Sequence, residues 1–122
     1  KYPLSIIIFE IENLIEINNT YGRDFGDKTL FAIVLCAKKV FRDTDFFGRL
    51  NGNQFCAILP NTDIDLGRNA LIRLQKLIND VRISSTTGEI NITGKISIAA
   101  LANDCDSTEL INIATSNLES IN

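Results

Sequence analysis

A nearly unbroken apolar run, Leu4-Ser5-Ile6-Ile7-Ile8-Phe9, restricts what this chain can fold into more than any other stretch. Consecutive β-branched residues disfavour a helix, and a run without polar alternation suits a strand buried on both faces. A strand of that kind needs neighbours on either side and a covering layer. The rest of the chain must supply them.

Glu10-Ile11-Glu12-Asn13 breaks the run. From Leu14 to Tyr21 the apolar positions Leu14, Ile17 and Tyr21 recur at helical spacing, and Tyr21-Gly22-Arg23-Asp24-Phe25-Gly26 turns the chain. A second helix is expected to begin near Asp27, with Leu30, Phe31, Val34, Leu35 and Val40 as its inward stripe. Asp43-Thr44-Asp45 reads as a loop. Phe46 to Leu50 and Phe55 to Leu59 read as strands of a hairpin joined by Asn51-Gly52-Asn53-Gln54, where Asn-Gly is a strong turn signal. Thr62 or Asp63 caps a third helix with inward face Leu66, Ala70, Leu74, Leu77 and Ile78. Ile90 to Ile92 and Lys95 to Leu101 suggest a second hairpin turning at Thr93-Gly94. Asp106-Ser107-Thr108-Glu109 resembles a capping box opening a last helix, Leu110 to Leu118.

The order β-α-α-β-β-α-β-β-α puts the chain in the α/β (α+β) class, with a ferredoxin-like, mostly antiparallel sheet flanked by helices. With 122 residues and no linker or repeat, residues 1–122 read as a single domain. Both ends lack a natural tail, so the expectation is a module cut from a larger protein.

Charge and residue types exclude several functions. A net charge of −3 without a Lys/Arg run argues against nucleic acid as a partner. No apolar run approaches the roughly 20 residues of a membrane span, and no signal peptide is visible, so direct membrane contact is not expected. The absence of His rules out a Ser-His-Asp triad and a histidine zinc site. Cys36, Cys56 and Cys105 form an odd set without CxxC spacing and read as buried free thiols in a reducing, cytoplasmic compartment.

Phe9-Glu10-Ile11-Glu12-Asn13-Leu14, continuing through Ile17-Asn18-Asn19-Thr20-Tyr21-Gly22 to Gly26-Asp27 and Leu30, resembles the first signature of GGDEF domains, the diguanylate-cyclase family of bacteria. That signature runs roughly D-I-D-x-F-K-x-I-N-D-x-x-G-x-x-x-G-D-x-x-L. Arg49-Leu50-Asn51-Gly52-Asn53-Gln54-Phe55 resembles the second, an arginine and an apolar residue before G-G-D/E-E-F, and Ile96-Ser97-Ile98-Ala99 resembles the family's S-I-G-V-A strand. The resemblance implies a nucleotidyl-cyclase palm fold and, for intact members, condensation of two GTP molecules with divalent metal.

This chain departs from the family where the chemistry is done. By resemblance the metal ligands would be Glu10, the carbonyl of Ile11 and the side chain at Asn53, and Gln54 stands for the carboxylate that activates the attacking hydroxyl. A neutral amide cannot balance a divalent cation, nor accept that proton near neutral pH. Ile15 replaces a phosphate-contacting lysine, and Asn122 falls where a C-terminal lysine would be expected. The expectation is a degenerate domain without catalysis and without a cofactor, magnesium entering only with residual GTP binding.

Two nucleotide sites remain candidates. Asn18 and Asp27 match the positions that read guanine, although Asn18 could merely turn the chain and Asp27 merely cap the second helix. Arg42-Asp43-Thr44-Asp45 matches the family's R-x-x-D product-inhibition motif, and Arg73 matches a second arginine of that site. Arginine can fork onto a phosphate or onto guanine O6 and N7, while a carboxylate can accept from a guanine edge. Arg49 reads as a strand flank that pairs with an acidic neighbour. The leading expectation is a cyclic di-GMP receptor using Arg42, Asp45 and Arg73, working as a homodimer. The alternatives are a GTP-binding regulatory domain using Asn18 and Asp27, and a dimerisation module without a ligand.

Overall fold

The structure is a computed structural model, and it describes residues 3–101, the side chain of Leu101 excepted. The expected last helix, its capping box, Cys105 and Asn122 lie outside the described residues.

The opening run forms strand β1, Leu4–Ile11. Helices α1 (Leu14–Tyr21) and α2 (Arg23–Val40) follow, then strands β2 (Phe46–Asn51) and β3 (Gln54–Pro60) and helix α3 (Ile64–Asn79). Strands β4 (Arg82–Ser85), β5 (Gly88–Asn91) and β6 (Gly94–Leu101) complete the described chain. The main sheet has the order β2-β3-β1-β6, and β1 pairs antiparallel with both β3 and β6. As the apolar run requires, β1 is central, and Ser5 to Phe9 are all buried.

The sheet's two faces follow from the two-residue period of its strands. Ile7, Ala57 and Leu59 lie on the side that packs against Phe41, Phe47, Ala70 and Leu71. Ile6, Ile8, Cys56 and Ala99 form a separate cluster. The largest core groups Phe9, Ile11, Ile33, Phe55, Leu74 and Ile78 beneath α2 and α3. Phe41, Phe47 and Phe55 stack in series, with ring centroids 5.7 and 5.4 Å apart. The Asp63 side chain caps α3 by accepting from the Leu66 amide, so Asp63 rather than Thr62 is the cap.

Five expectations are corrected. The second proposed hairpin does not form: β5 pairs with β4 as a separate two-stranded ribbon, and β6 crosses to the open edge of β1. Thr93-Gly94 is therefore a crossing between sheets. Helix α2 begins at Arg23, a turn before Asp27, so Asp27 caps nothing. Its inward residues are Ile33, Cys36, Ala37 and Val40, whereas Phe31 and Leu35 are exposed. Leu30 and Val34 of the expected stripe are partly buried against the same core. Leu66 is likewise exposed on α3, where Gly67 faces the sheet. The β2–β3 turn centres on Gly52-Asn53, since Asn51 pairs with Gln54. Neither turn residue takes positive φ, and a register shift between Arg49 and Asn51 absorbs the difference in twist.

Candidate functional site

The hairpin tip and the end of β1 meet through side-chain amides. Asn53 Nδ2 donates to the Ile11 carbonyl at 3.0 Å, while the Ile11 amide donates to the Asn53 carbonyl at 2.8 Å. Gln54 Nε2 donates to Glu10 Oε1 at 2.8 Å, and Gln54 Oε1 accepts from Asn51 Nδ2 at 2.7 Å. A carbonyl and a carboxylate only accept, so these contacts set which end of each amide faces them. The two β1 groups that the family resemblance makes metal donors thus already receive N–H groups. The arrangement does not suit a divalent cation, which needs oxygens turned toward it. Among the described residues no cluster of three or more Cys, Asp or Glu side chains could hold a metal.

Beside this tip lies an open cavity of about 510 Å³, within the usual range for small-ligand sites. Asn18, Asp27, Arg23, Arg49 and Asn53 supply its polar lining, and Ile15 is on its wall. Gly26 lies against the Asn18 side chain, and a Cβ there would have to displace that amide. Asn18 and Asp27 share one cavity, each from its own helix. Arg49 differs from expectation: among the described residues it pairs with no acid, and its guanidinium instead donates to the carbonyls of Asn51 and Gly52. Arg23 went unnoticed in the sequence. Its placement on the cavity depends on α2 starting at Arg23, which the Gly22 signal at φ 100° could have indicated.

A second cavity of about 240 Å³ lies between the end of α2, the end of β3 and α3, and Arg42, Asp45 and Arg73 all line it. Arg42 and Asp45 are bound tightly. The Arg42 guanidinium meets the Asp45 carboxylate through Nε and Nη2, and the Arg42 backbone amide donates to Asp45 Oδ2 at 2.8 Å. Arg42 Nη2 also donates to the Pro60 carbonyl and to Thr62 Oγ1. The Asp45 side chain is only 4% exposed, against 55% for Arg42. Donating to the Asp45 carboxylate, and then the charge of that carboxylate, raises the Arg42 pKa above its ordinary value. Arg73 is exposed and makes one long bond, 3.4 Å to the Lys39 carbonyl. Pairing Arg42 with Asp45 was legible as R-x-x-D, but Thr62 was not. Its place before α3 suggests a cap, whereas its buried hydroxyl accepts from the arginine.

Among the described residues, no helix is long and apolar enough to cross a membrane. Diguanylate cyclase A of Treponema denticola is 29% identical over 111 residues, 91% of this chain and 30% of that protein. The probable diguanylate cyclase DgcC of Escherichia coli K12 is 28% identical over 94 residues, 77% of this chain and 24% of that protein. The chain spans less than a third of the length of these curated relatives. Among solved structures, the active GGEEF domain of a diguanylate cyclase from Vibrio cholerae superposes with a TM-score of 0.88 at 23% identity, covering 98% of this chain and 76% of that one. The GGDEF domain of DgcB from Caulobacter crescentus, in complex with c-di-GMP, gives 0.88 at 16% identity, covering 97% and 71%. Likeness at such low identity establishes the fold, which is the expected α/β palm. The family model described as diguanylate cyclase, GGDEF domain, matches residues 1–122, and by that match the chain belongs to the GGDEF family.

Proposed function

We propose that this is a catalytically silent GGDEF domain that captures cyclic di-GMP in the cavity of Arg42, Asp45 and Arg73. One observation carries the reading: two arginines from separate elements line one cavity with a single carboxylate, and that carboxylate is committed to Arg42. The pair offers net positive charge to a dianionic ligand. Arg42 is held through Nε and Nη2 by Asp45, Pro60 and Thr62, which leaves Nη1 to meet a phosphate oxygen or a guanine acceptor. At about 240 Å³ the cavity suits one guanine edge with its phosphate, leaving the rest of the dinucleotide outside. Asp45 can turn to a guanine Watson–Crick edge only by giving up part of its hold on Arg42.

Silence follows from chemistry at the other site. The Gln54 amide has no basic oxygen to take a proton, and Asn53 carries no charge to offset a cation beside a triphosphate. The structure of DgcB with c-di-GMP, a fold relative, supports the ligand class.

Calorimetry tests the proposal. Cyclic di-GMP should bind with a dissociation constant of about 1 µM or tighter, equivalent to about 8 kcal/mol. Arg73→Ala, which disturbs one weak internal bond among the described residues, should weaken binding about tenfold or more and lessen its sensitivity to salt. Arg42→Ala should abolish it. An absence of heat with wild-type protein, or an unchanged affinity in Arg73→Ala, overturns the proposal.

A second reading has its own observation, the 510 Å³ cavity that brings Asn18 and Asp27 together. It makes the domain a GTP-responsive regulator, and predicts thermal stabilisation by GTP that Asp27→Ala removes and Arg73→Ala leaves intact.

A further inference from the structure

We infer that Asn53 and Gln54 do more than fail to bind a metal: their amides replace the cation structurally, as a metal-free latch between the hairpin tip and the end of β1. This inference goes beyond the loss of catalysis and is independent of ligand capture at Arg42.

The sheet brings oxygens together at this point. Register pairs Glu10 directly with Gln54, and Ile11 continues into Asn53 through the Ile11 amide. Acids at positions 53 and 54 would add two carboxylates to the Glu10 carboxylate and the Ile11 carbonyl, and only a cation could offset that crowding. Amides change the sign at the contact. Each directs an N–H at one of the two β1 acceptors, at 3.0 Å for Ile11 and 2.8 Å for Glu10. The carbonyl of Ile11 and one oxygen of the Glu10 carboxylate each receive an N–H without any ion.

The latch is also held in orientation. Gln54 Oε1 accepts from Asn51 Nδ2, so a rotated Gln54 would lose the Glu10 bond and bring nitrogen against nitrogen at Asn51. Asn53 is fixed by the reciprocal pair it makes with Ile11, side chain to carbonyl and carbonyl to amide. A cation seated on the Ile11 carbonyl and Glu10 Oε1 would have to displace the N–H groups these atoms already receive. Binding it would require turning Asn53, Gln54 and Asn51 together. Cooperative networks of this kind resist single rearrangements.

Thermal unfolding in chelator and in millimolar Mn²⁺ separates the possibilities. Wild-type protein should melt at the same temperature in both. Asn53→Asp/Gln54→Glu should melt roughly 5 °C or more lower in chelator, through lost hydrogen bonds and added like charge. It should regain stability with Mn²⁺ along a saturating curve, as ligand linkage requires. Folding of the double variant only after Mn²⁺ is added supports the inference equally. A saturating Mn²⁺ stabilisation of wild-type protein overturns it, and so does a double variant indifferent to Mn²⁺. Should that variant never fold, the ¹⁵N-correlation spectrum of wild-type protein decides. Amide signals of Glu10 and Ile11 untouched by paramagnetic Mn²⁺ sustain the latch, and their selective broadening refutes it. Cyclic di-GMP titrations in chelator read the other cavity, so either idea can fail without the other.

Discussion

Arg42 stands where three pieces of chain meet. Its guanidinium reaches the Asp45 carboxylate, the carbonyl that ends β3 and the Thr62 hydroxyl just before α3. An exposed ion pair alone contributes little, but a forked geometry with two further acceptors fixes the direction in which the cation points. Among the uncharged residues, the cysteines answer most clearly to burial. Cys36 and Cys56 are free and buried, as their apolar surroundings in the sequence indicated. Burial pushes both thiols above their ordinary value of 9.0, with nearby Lys39 opposing the shift at Cys36. The folded state therefore holds these protons more tightly than the unfolded chain does. Their effect on stability is flat below the ordinary thiol pKa and turns unfavourable as pH rises through it. In a Cys105→Ser background, Ellman's reagent at pH 8 should leave the native thiols unmodified and modify both after denaturation. The drop in the urea midpoint between about pH 7 and pH 10 should shrink when both are replaced by alanine.

Between elements, glycine decides how closely the helices lie on the sheet. A Cβ on Gly67 would sit 2.5 Å from Ile98 Cδ1 and 3.1 Å from Ser5 Oγ. Ser5 is wholly buried, and its hydroxyl donates to the Thr62 carbonyl, tying β1 to the entry of α3. Helix propensity favours Gly67→Ala by up to about 1 kcal/mol, whereas overpacking costs about 1–3 kcal/mol. Packing should win. Chemical denaturation of Gly67→Ala should show a net loss of about 1 kcal/mol, and any gain would mean α3 can lift from the sheet. The same competition explains which elements were legible in the sequence. Strand β1 was clear because a fully apolar run has one reading, and α3 because its cap and period agree. Helix α2 was placed a turn late because its signal is Gly22 at positive φ, while Asp27 imitates a cap. The pairing of β5 with β4 was missed because Arg82–Ser85 is short and polar at all but Ile83. Thr93-Gly94 then looked like a local turn. Gly94 instead comes against Phe9, where a Cβ would lie 2.5 Å from its ring.

Across the whole molecule, the two cavities fall on different structural seams. One opens between α1, α2 and the hairpin tip, the other between the end of α2, the end of β3 and α3. Motif offsets were enough to name Arg42, Asp45 and Arg73 for one, and Asn18 and Asp27 for the other. Contacts that depend on three-dimensional closure were beyond them, among them Thr62 under Arg42 and Asn51 behind Gln54. Both seams border on β1, directly or through β3, and β1 has no free edge. Its backbone amides are paired on one side or the other, and Ile6 to Ile8 are at most 1% exposed. Hydrogen–deuterium exchange at Ile6, Ile7 and Ile8 should therefore proceed only by global opening, and be the slowest in the described chain. Helix α1, eight residues long without a side-chain cap, should exchange well before them. A solvent-shielded central strand makes these three amides an internal gauge, reporting how firmly the scaffold is closed while either cavity fills or empties.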